Sequence, residues 1–355
     1  MGQPRGKTRR VTLADVARRA GVSTTTASFV LSGRTDMRIS IGTADRVRQA
    51  ARVMDYRPRM GGRVTIAAQM PAIGFVSDTI ASEPFAGELI RGGMSEAANQ
   101  GHTVVVAETG GAKGLEISVI QDLVDRGVEQ FIYAAVATRD VRIPDMLLDR
   151  PTVLANCIDR RWRKPSVVPD DRAAGALAAG TLLDAGHSSA IWLVGEVAPG
   201  THAGTDRYAG IVGRLRRSDL ELARHVSCSW WPPDARQAMR AALAESGSPP
   251  TAVIAMNDRV SMGVFQALEA AGLRIPGEVS VVSFDNSDLA WWLAPGLTSI
   301  GLPYFEIGRR AVELVLDGAT SQDGGSARRI EKLPMPIFAR ASVAPPSGYE
   351  GRGSS

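Results

Sequence analysis

The feature that most constrains this chain is a pattern near its N-terminus, Val11-Thr-Leu-Ala-Asp-Val-Ala-Arg-Arg-Ala-Gly-Val-Ser23 followed by Thr24-Thr-Thr-Ala-Ser-Phe-Val-Leu31. Leu13, Val16 and Ala17 share one face of a first short helix. Gly21 supplies the left-handed backbone that a tight turn between helices requires. Ser23 stands at the N-cap of a second helix, where its hydroxyl covers open amides. That helix turns Ala27, Val30 and Leu31 inward and Thr24, Thr25, Ser28 and Phe29 outward. Any two amphipathic helices can meet at a turn for structural reasons alone. Here a third amphipathic stretch follows, Arg46-Val-Arg-Gln-Ala-Ala-Arg-Val-Met-Asp-Tyr-Arg-Pro58, and the set has the layout of a head that enters a DNA major groove.

Charge points the same way. Residues 1–63 carry 14 Arg and Lys against 4 Asp, a net of +10, which leaves −6 for the remainder of a chain whose overall charge is +4. A basic module on an acidic body suits a polyanion bound at one end only. A solvated tail accounts for Arg5 to Arg10, whereas Arg18, Arg19, Arg46, Arg48 and Arg52 are woven into the amphipathic helices. Two cysteines, Cys157 and Cys228, are too few for a disulfide framework and fit a reducing compartment. With no apolar run of signal-peptide or membrane-spanning length, a cytoplasmic, nucleoid-associated protein is expected.

A length of 355 residues exceeds one typical domain. Beyond residue 72, strand-like stretches (73–77, 103–107, 130–135, 153–156, 190–194, 252–256, 279–284) alternate with helix-like ones (85–100, 115–126, 172–185, 206–217, 234–245, 259–271). Such alternation implies parallel sheets with helices on both faces, and the strand at 103–107 reads as buried. The span is long for one sheet, and a break near residues 167–171 suggests two lobes. The expected organisation is a small all-α helix-turn-helix head at 1–58, with 1–10 disordered, and a linker at 59–71. An α/β core at 72–343 follows, made of two doubly wound parallel-sheet lobes, then a Pro/Gly/Ser-rich disordered tail at 344–355.

The residues Thr12-Leu13, Asp15-Val16-Ala17, Ala20-Gly21-Val22-Ser23, Thr26, Ser28, Val30-Leu31, Gly33 and Tyr56-Arg57-Pro58 resemble the lactose-repressor (LacI/GalR) family of bacterial transcription regulators. The likeness continues through Ala72-Ile-Gly-Phe-Val76, Ala255-Met-Asn-Asp-Arg-Val-Ser-Met-Gly263, Val279-Ser-Val-Val-Ser-Phe-Asp285 and Leu297-Thr-Ser-Ile300, so it spans roughly residues 11–343. The resemblance implies a periplasmic-binding-protein-like core whose chain crosses between lobes three times. Lobe 1 is then expected at about 72–166 and 299–325, and lobe 2 at about 167–298 and 326–343. It also implies a homodimer or larger homo-oligomer on a near-palindromic double-stranded operator, a small-molecule effector, and no cofactor. DNA contacts carried over from the family pattern are Thr12, Ser23, Thr24, Thr25, Thr26, Ser28, Phe29, Tyr56, Arg57 and Arg63.

Three departures stand out. Phe29 occupies a position where the family often has an arginine reader; Phe cannot make a bidentate bond to guanine but packs on a thymine methyl. The loop at 32–43 is about two residues longer than the family's, with Asp36 to Ile41 extra. Thr65, after Gly61-Gly62, stands where the family's linker helix carries a leucine wedge, so bending at the operator centre is in question, although Val64 or Ile66 can substitute.

In open parallel sheets ligands bind at the carboxyl ends of strands, and two facing lobes put two such edges across one cleft. The polar residues past predicted strands are Asp78, Asn156, Asp159, Asn257, Asp258 and Asp285, side chains able to bond adjacent hydroxyls of a sugar. Each can equally be a helix cap, Asp258 above all; Asp285 and Asn257 align with family ligand residues. Arg207 resembles the family's ligand-gripping arginine. Trp230 and Trp231 offer an indole face to a sugar ring, one of the two being a core residue, and Phe85 and Tyr208 complete the walls. Trp291-Trp292 reads as lobe packing. His202, in a loop at 199–204, faces the cleft on one reading and solvent on another.

An enzyme is not expected. The four histidines, His102, His187, His202 and His225, form no H-E-x-x-H pattern, and there is no C-x-x-C or G-x-S-x-G. Gly110-Gly111-Ala-Lys-Gly114 lacks phosphate-loop spacing and reads as a turn. The expected function is a DNA-binding repressor switched by a sugar. Alternatives are a nucleobase or nucleoside effector, or a DNA-binding head fused to a sugar-processing enzyme.

Overall fold

The computed structural model describes residues 11–31, 39–54, 70–81, 83, 87–161, 164–318 and 330–347. It divides after Gln69 into two compact units. The first holds α1 (Leu13–Ala20), α2 (Thr24–Leu31) and α3 (Ile41–Val53). Thr12 caps α1 reciprocally: its hydroxyl accepts from the Asp15 amide at 3.3 Å, and Asp15 accepts from the Thr12 amide at 3.0 Å. Gly21 ends α1 at φ 67°, where a side chain would be strained. Ser23 Oγ then accepts from the Thr26 amide at 3.0 Å and starts α2. Val16, Ala17, Ala27, Val30, Val47 and Ala50 close the core between the three helices. The third helix begins earlier than its apolar spacing suggests, because Ser40 caps it through the Thr43 amide at 3.3 Å. Ile41 to Thr43, assigned by sequence to a lengthened loop, are therefore helical; the rest of that loop at 32–38 and the linker at 59–69 lie outside the described residues.

The second unit contains two six-stranded sheets. The first is built from β1 (Ala72–Ser77), β2 (Thr103–Glu108), β3 (Gln130–Val141), β4 (Thr152–Asp159), β5 (Ser166–Pro169) and β11 (Ile330–Leu333), in the order β11-β5-β4-β3-β1-β2, all parallel. The second contains β6 (Ile191–Val194), β7 (Arg224–Val226), β8 (Ala252–Ala255), β9 (Ser280–Asp285), β10 (Thr298–Gly301) and β12 (Ile337–Phe338), in the order β12-β10-β9-β8-β6-β7, with β12 alone antiparallel. The helices α4 (Gly87–Asn99), α5 (Lys113–Asp125) and α11 (Tyr304–Leu316) cover the first sheet. The helices α6 (Asp171–Asp184), α7 (His202–Arg216), α8 (Pro232–Glu245), α9 (Asp258–Ala270) and α10 (Leu289–Trp292) cover the second.

The lobe boundaries move by a few residues from the expected ones. Ser166–Pro169 pairs with β4 and so belongs to lobe 1. Ser299 and Ile300 sit in β10, beside β9 of lobe 2, and the chain returns only with α11, whose Tyr304, Ile307 and Val312 pack among Ile73, Phe75 and Ile132. Residues 330–333 are a lobe-1 strand on β5, not part of lobe 2. Short crossings thus follow Pro169, Gly301 and Leu333, and two are tied together where the Asp170 amide donates to Leu333 O at 2.8 Å.

Three further readings change. The strand at 103–107 is the sheet edge, with Val105 and Val106 39% and 36% exposed; an apolar run alone does not reveal a missing neighbour. The strand from Gln130 continues to Val141 through a register shift between Ala134 and Arg139, past polar residues that end its apolar run. Residues 344–347, expected to be disordered, are held to lobe 2, where the Ala344 amide donates to Ser280 Oγ and the Ser347 hydroxyl to Gly277 O, each at 3.0 Å; residues 348–355 lie outside the described residues. Among the described residues no helix is long and apolar enough to cross a membrane.

Helix pairs on each lobe meet backbone to backbone at glycines. A Cβ on Gly210 of α7 would lie 2.0 Å from Arg172 O of α6, whereas one on Gly213, a turn further along, meets nothing within 4 Å. Gly210→Ala should therefore force α6 and α7 apart and cost about 1–3 kcal/mol. Gly213→Ala should instead stabilise the same helix by about 0.5–1 kcal/mol. Urea unfolding of the two variants checks the opposite signs.

Candidate DNA-reading head and effector cleft

On the head, Thr24 and Thr25 open α2 with exposed side chains, and Ser28 and Phe29 are half-buried on the same helix. The hydroxyls of Thr12, Ser23 and Thr26 are engaged in turn and cap bonds, Ser23 Oγ lying 2.8 Å from Thr26 Oγ1. Those three residues hold the helix ends in place. Arg18, Arg19, Arg46 and Arg48 are exposed on α1 and α3. Tyr56, Arg57 and Arg63, and Phe85 of the cleft set, lie outside the described residues.

The cleft is organised by Arg207, 3% exposed on α7. Its Nε donates to Asp171 Oδ1 at 2.8 Å, its Nη1 to Met256 O at 2.6 Å, and its guanidinium lies 4.5 Å from the Phe284 ring centroid. Burial opposes its charge, but Asp171 and Asp285 hold its pKa above the ordinary arginine value. Asp285 ends β9 with φ 101°, its carboxylate 14% exposed and 3.9 Å from Arg207 Nη1. No donor among the described residues bonds to that carboxylate. Burial pushes the Asp285 carboxyl up to about 8, with Arg207 pulling the other way and Asp258 reinforcing the rise.

The other strand-end residues are largely engaged within the protein. Asn257 caps α9, accepting from the Val260 amide at 2.7 Å. Asp258 accepts from Ser287 N at 2.7 Å, Ser287 Oγ at 2.9 Å and Ser299 Oγ at 2.8 Å. Asn156, at φ 57° and 1% exposed, accepts from Thr138 Oγ1 at 2.7 Å and donates to Ala135 O at 2.9 Å. Asp78 accepts from Thr79 N at 2.7 Å and Val136 N at 3.1 Å, and pairs with Arg139 Nη2 at 2.9 Å. Asp159 is buried at the end of β4 and accepts from Arg161 N at 3.3 Å.

Trp230 packs partly buried on the lobe-2 core with Tyr208, while Trp231 is 53% exposed at the N-cap of α8. Trp291 and Trp292 are 69% and 74% exposed, so they are not lobe packing; their short helix leaves both rings outside the core. His202 opens α7, and its Nε2 lies 2.8 Å from Asp140 Oδ1 of lobe 1. Sequence reasoning missed Asp171, Arg139, Glu83 and Arg259, whose roles depend on partners 36, 61 and 176 positions away along the chain.

A carboxyl whose folded pKa is raised contributes stability that is present below its unfolded pKa and is lost as pH rises through the folded value. For Asp285 that window runs from the ordinary aspartate range near 4 to about 8. Asp285→Asn, which cannot ionise, should match the parent near pH 4. It should be the more stable of the two at pH 8, by at least about 1.4 kcal/mol, the worth of one pKa unit. Urea unfolding at pH 5, 6.5 and 8 checks the growing gap.

Family models match at both ends of the chain: bacterial regulatory proteins of the lacI family over residues 12–59, and a periplasmic binding protein-like domain over residues 179–343. The HTH-type transcriptional repressor CytR of Escherichia coli K12 is 30% identical over 322 residues, 90% of this chain and 93% of that protein. The lac repressor dimer bound to operator and the anti-inducer ONPF shares the fold, with a TM-score of 0.65 and 24% identity over 95% of this chain and 100% of that one. A LacI family transcriptional regulator from Enterococcus faecium with bound ribose has a TM-score of 0.61 and 26% identity over 77% of this chain and 99% of that one. With the capped three-helix head and the two-sheet core, these likenesses show that the chain belongs to the lacI family of bacterial regulatory proteins, DNA-binding regulators of transcription rather than enzymes.

Proposed function

We propose that this regulator is a repressor that reads a near-palindromic operator as a homodimer, in the cytoplasm at the nucleoid, and that a sugar bound between its lobes switches operator affinity. The observation that carries the cleft reading is the Asp285–Arg207 pair. A backbone-strained carboxylate that accepts no hydrogen bond from any described residue stands beside a buried guanidinium at the carboxyl edge of a parallel sheet. A ligand hydroxyl supplies what that carboxylate lacks. The exposed indole of Trp231 suits the apolar face of a sugar ring. The ribose-bound relative supports the same class. An indole face suits a nucleobase equally, and this is the competing reading. A thermal-shift panel of ribose, glucose, cytidine and adenosine separates the two, since a ligand at 100 times its Kd adds about 2.7 kcal/mol.

Asp285→Ala should bind operator nearly as the parent does but lose its response to whichever compound is identified, with about 1–3 kcal/mol of ligand affinity gone. A normal response from that variant moves the pocket elsewhere.

For dimer formation the support is exposed apolar surface. Met94, Val105, Val106, Leu115 and Ile117 are open on α4, β2 and α5, beside a groove of about 550 Å³ lined by Val105, Val119 and Leu123. Trp291, Trp292 and Phe338 are open at the β12 edge of lobe 2. Monomers seldom leave so much apolar surface in water, and a second copy covers it in a two-fold arrangement.

Base reading is assigned to Phe29 with Thr24 and Thr25, and DNA affinity to the basic head. Operator binding should fall steeply with salt, as release of phosphate counterions requires. Phe29→Arg should redirect the selected half-site toward guanine, with about 1–3 kcal/mol of discrimination at one position. A selection that returns the same consensus for both proteins removes Phe29 from the reading surface.

A further inference from the structure

Arg259, on the first turn of α9 in lobe 2, lies 4.4 Å from the ring centroid of Trp231, and its Nη2 donates to Glu83 Oε2 of lobe 1 at 2.9 Å. Glu83 is presented from a formed turn, its amide donating to Thr79 O at 3.1 Å. Both charged side chains are about three-quarters buried, 25% and 28% exposed. A guanidinium suits this double task, because its edge bonds a carboxylate while its face stacks on an indole.

We infer that Arg259 is an internal occupant of the aromatic wall: with no effector bound it covers Trp231 and clasps lobe 2 to lobe 1 through Glu83. A ligand ring laid on that face of Trp231 displaces the guanidinium and releases the clasp. Arg259 thereby decides which ligands gain the wall, since only a ring that stacks better than the guanidinium, or that itself satisfies Glu83, replaces it. A second tie between the lobes, His202 with Asp140 beside the backbone bridge of Arg139 and Thr201, uses no aromatic face and is left intact by such a ligand. The displacement step rests on the reading of the cleft as the effector site; the clasp does not.

The test uses the full chain without effector or operator, so it succeeds or fails apart from that reading. Acrylamide quenching of tryptophan fluorescence reports access to Trp231, and small-angle scattering reports lobe separation. Arg259→Ala and Glu83→Gln should each raise the quenching constant, and the rise should disappear when Trp231→Phe is added. Each should also increase the radius of gyration, with the double variant no larger than either single one, because one shared contact is lost. Arg259→Lys, which keeps charge but not the planar face, should raise quenching with little change in radius. Quenching in Arg259→Ala that matches the parent, or a rise that survives Trp231→Phe, overturns the stacking. Scattering curves of Glu83→Gln and Arg259→Ala that superimpose on the parent overturn the clasp.

Discussion

The second unit depends most on the desolvation of one cation. Arg207 is buried too deeply to keep its hydration, so its charge persists only because protein groups replace the water. Asp171 at the start of α6, Met256 O at the end of β8, and Asp285 at the end of β9 are those groups. Three separate elements are thereby fixed around one guanidinium, and the carboxyl edge of lobe 2 takes its shape from them. Asp171 and Asp285 share a single arginine, and burial raises both carboxyls. Arg207 spends its hydrogen bonds on Asp171 and Met256 O, which leaves Asp285 at 3.9 Å with no donor bonded to it among the described residues.

The two lobes are joined by three short crossings, two of them bonded to each other between Asp170 and Leu333. Coupling between a ligand and a distant polyanion requires contacts that differ between two states. Among the described residues the contacts available to differ include two interlobe ion pairs, His202 with Asp140 and Arg259 with Glu83. Neither pair involves the core of a lobe, so they can break without disturbing the close glycine packing of α6 on α7 or of α4 on α11.

What was legible in the sequence was local. The caps at Ser23 and the turn at Gly21 are set by residues a few positions apart, and the alternation of strands and helices predicts two parallel sheets. What was not legible needs partners distant in sequence. β2 reads as buried because Val104, Val105 and Val106 are apolar, and only sheet order makes it an edge. Ser299 and Ile300 were placed a lobe too early because the motif that ends in Ile300 gives no hint that β10 still pairs with β9. In the cleft, Asn156, Asn257 and Asp78 have the right chemistry for a sugar, yet their oxygens are held by Thr138, Val260 and Val136. Asn257 is held by its own helix and Asn156 by groups 18 and 21 positions away, and a sequence cannot say which of the two applies or whether a bonding group remains.

The charge distribution explains why these two functions coexist in one chain. Residues 1–63, the head and the start of the linker, carry a net +10 and the remainder −6. Phosphate attraction is non-specific and acts on any exposed basic surface. A net-acidic body adds nothing to that attraction, so phosphate binding is expected of the basic segment and not of the lobes. Around Asp285 itself, Asp258 and Asp171 oppose ionisation while Arg207 and Arg259 favour it, so neighbouring charges of both signs bear on this carboxyl and burial decides the direction of its shift. Charge alone therefore selects little at this edge, and discrimination among ligands falls to hydrogen bonding and ring stacking.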